Sequence, residues 1–146
     1  MLVPPSEDPI VVFTDATGKG GAGAVLIIKD LQDAFCASGH VPASFRQRLI
    51  SRKTQVTPTE LLVPLAAMYT WPAIMTNRIV IFYLDNDAAQ GILSKGSSTT
   101  LDLNEIAGIS WDVIHDLGIE LGFKRVVSAL NCSDSLSRGG DSPLSA

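Results

Sequence analysis

Ile79-Val80-Ile81-Phe82-Tyr83-Leu84-Asp85 is the stretch that decides the fold. Six apolar residues in a row, mostly β-branched or aromatic, make a strand without polar alternation. Such a strand, apolar on both faces, belongs in the interior of a covered sheet, where parallel pairing is the rule. It ends in a carboxylate that local structure does not require. Val11-Val12-Phe13-Thr14-Asp15, inside an apolar run from Pro9 to about Ala16, repeats the pattern: a buried strand closed by an acid.

Outward from these two strands the chain reads as one domain over residues 9–138. A Pro-containing lead-in precedes it (1–8) and a flexible tail follows (139–146). Gly18 to Gly23 is a turn, Ala24 to Ile28 a second strand, and Asp33 to Ser38 a third, completing an antiparallel meander. Val41 to Val56 lacks periodicity and is expected to be a loop with at most a short strand. Thr57-Pro58-Thr59-Glu60 predicts a helix start, with Thr57 at the N-cap, Pro58 at N1 and Glu60 at N3. The helix runs to about Trp71, and Pro64 inside it should kink it or displace its start. Asp87 to Leu93 predicts a short helix capped by Asp87 with Gln90. Leu101 to Leu117 predicts a longer one, with Ile106, Ile109, Val113, Ile114 and Leu117 at helical spacing. Phe123 to Val127 is the last strand and Ser133 to Arg138 a last helical turn. The order β-β-β-α-β-α-α-β-α is an α/β pattern.

Composition narrows the chemistry. With 146 residues, 46% of them hydrophobic, the chain can build a real core. It has no apolar run near the roughly 18 residues of a membrane span, and its start lacks a secretory pattern, so an intracellular protein without membrane association is expected. Two histidines, His40 and His115, and two cysteines, Cys36 and Cys132, are too few and too scattered for a zinc site. Any metal should therefore be a hard cation on oxygen ligands. The net charge of −4 is unusual for a nucleic-acid binder, yet Arg46, Arg48, Arg52 and Lys53 cluster, as do Lys124 and Arg125. Each cluster is either solvated surface or a phosphate-tracking patch.

Four acids stand on four separate elements: Asp15, Glu60, Asp85 and Asp134. Singly, each has an ordinary explanation; Glu60 completes a capping box and Asp134 sits behind Asn131. Asp15 and Asp85 are harder to dismiss. They close two apolar strands, and ligands bind at the carboxyl ends of strands in open α/β sheets. Two carboxylates there repel one another, and cations relieve the conflict. Gly18-Lys19-Gly20-Gly21-Ala22-Gly23 matches the dinucleotide fingerprint in letters, but strand residues follow it instead of a helix. A glycine-rich hairpin is the better assignment.

Thr14-Asp15-Ala16-Thr17, the glycine-rich hairpin, Thr57 through Leu61, Leu84-Asp85-Asn86 with Ala88, and Asn131-Cys132-Ser133-Asp134-Ser135-Leu136-Ser137-Arg138 together resemble the successive motifs of the ribonuclease H superfamily. The last is similar to the ending of ribonuclease H domains fused to retroelement reverse transcriptases. The resemblance spans Pro9 to Arg138. It implies a ribonuclease H-like fold: a five-stranded mixed sheet flanked by helices, its first and fourth strands adjacent and parallel. It also implies a metal-ligating and catalytic tetrad of Asp15, Glu60, Asp85 and Asp134, with two Mg²⁺ ions (or Mn²⁺) about 3.5–4 Å apart. Thr17, Gly18, Thr57 and Asn86 become substrate-contact candidates. The implied reaction is hydrolysis of the RNA strand of an RNA–DNA hybrid, with a reverse transcriptase polymerase domain as the expected partner.

Two departures accompany the resemblance. Residues 128–133 lack the histidine that cellular type 1 enzymes carry before the last acid, and His115 belongs to the long helix. Only Gly118 to Gly122 separates that helix from the last strand, so there is no basic protrusion. A junction resolvase or integrase-type nuclease, and a non-catalytic scaffold, are the alternatives.

Overall fold

The computed structural model describes residues 9–17, 19–28 and 33–125. Its elements are β1 (Ile10–Ala16), β2 (Gly21–Ile28), β3 (Asp33–His40), α1 (Ala43–Arg46), α2 (Val56–Thr70), α3 (Pro72–Met75), β4 (Ile79–Leu84), α4 (Asp87–Lys95), α5 (Leu101–Leu117) and β5 (Glu120–Arg125). The five strands form one mixed sheet in the order β3-β2-β1-β4-β5. Antiparallel pairing joins β3 to β2 and β2 to β1, while β1, β4 and β5 run parallel. This is the ribonuclease H-like architecture expected from the motifs, with β1 and β4 adjacent and parallel.

The two strands that decide the fold hold its center. On β4, Val80, Phe82 and Leu84 are fully buried. They join Ile10, Val12 and Leu26 from the sheet, Leu61 and Met68 from α2, Leu93 from α4 and Ile106 and Ile114 from α5 in one core. Each such side chain contributes about 1.5–3 kcal/mol by leaving water. The other side of β4 is half-buried, and there Tyr83 stacks on Phe13 with ring centroids 5.0 Å apart. In α5, Ile106 and Ile114 face the core, whereas Ile109 is exposed.

Several boundaries differ from expectation, each for a physical reason. Gln55, not Thr57, is the N-cap of α2, so Thr57 lies inside its first turn and the capping box does not form. The Glu60 carboxylate turns instead to the Ala16 N–H of β1. Pro64 stays within α2 as a buried residue; it has no N–H to give the Glu60 carbonyl. Asn86, not Asp87, caps α4, its side chain accepting the Ala89 N–H at 2.8 Å. Residues 41–55 contain the short helix α1 and no strand.

The last strand begins at Glu120, three residues early. Gly118 ends α5 in the left-handed conformation (φ 67°), and the Glu120 N–H then donates to the Arg78 carbonyl at 3.1 Å, drawing the chain alongside β4. Residues 126–146, including the expected turn at Ser133 to Arg138, lie outside the described residues. Among those described, no helix is long and apolar enough to cross a membrane.

Candidate metal centre

Parallel pairing aligns Val12 with Phe82 and Phe13 with Tyr83. Continued by two residues, that register brings Asp15 level with Asp85 at the carboxyl ends of the two strands. The Thr14 hydroxyl donates to the Tyr83 carbonyl at 3.0 Å, fastening the strands just before the acids. Asp15 is only 3% exposed; Asp85, just past the end of β4, is half-buried.

The third acid arrives from above the sheet. Glu60 lies on the buried side of α2 and is 1% exposed. Its Oε1 accepts the Ala16 N–H at 3.0 Å, so the backbone beside Asp15 orients it. One carboxylate oxygen from each of Asp15, Glu60 and Asp85 lies within 4.8 Å of the other two.

This cluster carries an unresolved charge conflict. Burial, then the charges of Asp85 and Asp15 and a hydrogen bond shared with Asp85, push the Glu60 carboxyl up to about 9; the Ala16 N–H pulls the other way. Without a cation, Glu60 therefore keeps a proton at neutral pH. Its second oxygen, Oε2, is buried and meets no hydrogen-bond donor. Once Glu60 loses its proton, a buried oxygen left without a donor costs roughly 1–3 kcal/mol. Three convergent carboxylate oxygens, on residues that include one buried oxygen without a donor, fit a hard divalent cation, which would offset most of the cluster's negative charge.

A cation of the chain itself stands nearby. Register places Arg125 beside Leu84, at the end of β5. Arg125 donates to Asp87, and that carboxylate, followed by the charges of Asp85 and Glu60, strengthens its hold on its proton. Lys124 and Arg125 are legible in the sequence as a basic pair, but this proximity follows only from the long-range register of β5 against β4. The other basic cluster divides. Arg52 is committed to the fold, donating to Asp102, to the Ile50 carbonyl and to Gln55.

The remaining candidates vary in position. Thr17 directly follows β1, and its hydroxyl accepts the Gly21 N–H at 3.0 Å, closing the hairpin beside the acids. Thr57 is half-buried one turn before Glu60. Asn86 adjoins Asp85, with its Oδ1 occupied in capping α4. Gly18 and Asp134 lie outside the described residues. His115 is exposed in the last turn of α5, a helix residue as expected.

No family model and no curated protein sequence matches the chain. Solved structures do. Ribonuclease H1 of the halophilic archaeon Halobacterium salinarum is similar with a TM-score of 0.66 and 15% identity, over 88% of this chain and 94% of that one. The N-terminal ribonuclease H domain of a Mycobacterium tuberculosis protein, solved as a fusion with maltose-binding protein, gives 0.68 and 16%, over 90% and 91%. A ribonuclease H1 isolated from compost gives 0.66 and 14%, over 88% and 91%. At such identities the likeness is one of fold.

Proposed function

We propose that this protein is a metal-dependent nuclease that hydrolyses the RNA strand of RNA–DNA hybrids. One observation carries the proposal: Asp15, Glu60 and Asp85 converge at the carboxyl ends of adjacent parallel strands in a ribonuclease H-like fold, within 4.8 Å of one another. Asp15, Glu60 and Asp85 would hold one divalent ion, Mg²⁺ or Mn²⁺. Asp134 would complete the tetrad and share in holding a second. When bound, such ions supply the Lewis acidity that activates water and stabilises a leaving oxygen.

The chain supplies position and charge. The Thr14–Tyr83 bond fixes the two strand ends, and the Ala16 N–H fixes Glu60, so the ligand oxygens are set before a cation arrives. Burial of Asp15 and Glu60 keeps bulk water from competing for those oxygens. Loading requires Glu60 to surrender its proton, which makes occupancy depend on pH. Thr17 and Thr57 flank the cluster and would meet the sugar–phosphate backbone. A 2′-hydroxyl contact there would distinguish RNA from DNA.

The sequence Asn131 to Arg138 supports a narrower assignment, a domain working beside a reverse transcriptase polymerase in an intracellular retroelement. A net charge of −4 and the short α5–β5 connection leave little basic surface for a hybrid, which favours a partner that supplies it. The test is a cleavage panel of labelled RNA–DNA hybrid, double-stranded RNA and branched DNA in Mg²⁺ or Mn²⁺, with and without a reverse transcriptase polymerase domain. Cutting confined to the RNA of the hybrid is expected. Preference for branched DNA would point to a resolvase, and inactivity under every condition would leave a scaffold.

A further inference from the structure

Away from the acids, the opposite edge of the sheet has an unusual composition. β3 is the outermost strand, and among the described residues it pairs with β2 alone. Its eight residues run without a bulge from Asp33 beside Ile28 to His40 beside Gly21. Edge strands of this length are normally blunted by proline, lysine, a bulge or an inward charge. β3 has none of these; its one acid, Asp33, stands at the first position.

Beside this edge lies an apolar groove of about 440 Å³, between β3 and the C-terminal half of α2. Ala37 and Gly39 form its floor on β3, and Leu65, Tyr69 and Trp71 its wall. A Cβ added at Gly39 would meet nothing within 4 Å. On the same face of β3, two residues before Ala37, the Phe35 ring is 36% exposed. One edge therefore offers both an aromatic projection and an apolar hollow.

We propose that β3 is a self-association edge, pairing antiparallel with β3 of a second copy. A two-fold axis between antiparallel neighbours must be perpendicular to the sheet, so both copies keep their helices on one side. Because side chains alternate between faces, residues paired across the dyad must then share parity. Two registers use nearly the whole strand, one centred on Cys36 and one on Ala37. In the first, Phe35 faces Ala37 of the second copy; in the second it faces Gly39. Both positions line the groove, so either register seats each ring at the other copy's hollow.

Charge agrees with this direction. Antiparallel pairing carries exposed Asp33 to the far end of the other β3, where His40 and Arg46 stand together beside Gly20. The Arg46 Nε is buried and has no hydrogen-bond partner. An acid arriving from a second copy would be complementary to it.

Sedimentation velocity across a dilution series tests the proposal, with hydrogen exchange of the unmutated chain as a second measurement. The wild-type mass should rise twofold with concentration, and the β3 amides should become protected over the same range. Phe35→Lys should remain at one-chain mass with unchanged thermal unfolding. The proposal fails if the wild type keeps one-chain mass throughout. It fails equally if Phe35→Lys associates like the wild type, or if β3 exchange is independent of concentration. A chain that stays monomeric while an extended peptide protects β3 would also overturn it.

Discussion

Two acid sites in this molecule, one half-buried and one buried, have been settled in opposite ways. Asp102, in the first turn of α5, has an 11% exposed side chain and a full complement of donors. The Arg52 guanidinium bonds it, and the backbone N–H groups of Ile50 and Leu103 add two more bonds at 3.0 and 2.9 Å. Arg52 first, with those N–H groups, holds its carboxyl below the usual range against the effect of burial. Glu60 is still more buried but receives one backbone N–H, faces two other acids, and has its carboxyl raised. The first site is closed by the protein itself. The second keeps a raised carboxyl among acids, and that contrast is why we propose it as a ligand site rather than a structural brace.

The largest expected break in that contrast is chemical. Asp85→Asn should cut hybrid cleavage by at least ~10³-fold, as loss of one member of a co-operating set does, while circular dichroism and the melting transition stay native. Retained turnover would mean that the wrong acids have been chosen. At the brace, Asp102→Ala should cost about 2–3 kcal/mol in urea unfolding, because three charge-assisted bonds go and Arg52 loses its carboxylate partner, keeping only the Ile50 carbonyl and Gln55.

The two sites should also respond to pH with opposite signs. Glu60 has a folded pKa above its unfolded value, so the native state binds the extra proton between about 4.5 and 9. Metal-free stability should fall as pH rises through that window. Asp102, whose folded pKa is depressed from 3.8, contributes stability that is lost as pH falls below that value. Glu60→Gln, keeping an acceptor for Ala16 and carrying no charge, should raise metal-free stability at pH 8 by roughly 1–2 kcal/mol. Chemical denaturation with chelator present reads this, and a loss of stability instead would mean that the charge conflict is not real. The smallest effect is expected at Asn86→Ala, about 1 kcal/mol, from the lost cap of α4. A larger fall in cleavage than in stability would give Asn86 a second role beside Asp85.

How legible these sites were in the sequence follows the same division. β1, β4 and α5 announce themselves through uninterrupted apolar runs or helical period, so the sheet center and its two strand-ending acids could be located. α1 could not: four residues are too few to show a period. β5 was misplaced because Glu120, Leu121 and Gly122 carry little strand preference, and pairing with β4 decides their conformation. Glu60 shows how a correct residue can be found for an incomplete reason. Its spacing from Thr57 matched a capping box, yet its carboxylate reaches a backbone N–H 44 residues away. No local pattern encodes that contact, nor the closeness of Arg125 to Asp85.

Calorimetric titration of the chain with Mg²⁺ and Mn²⁺ at pH 7, in two buffers of different ionisation enthalpy, tests the central claim most directly. Saturable binding that releases about one proton per ion, as Glu60 ionises to become a ligand, is predicted, and Asp85→Asn should abolish it. Absence of binding, or binding without proton release that Asp85→Asn leaves intact, would contradict the assignment of these three acids as a metal centre.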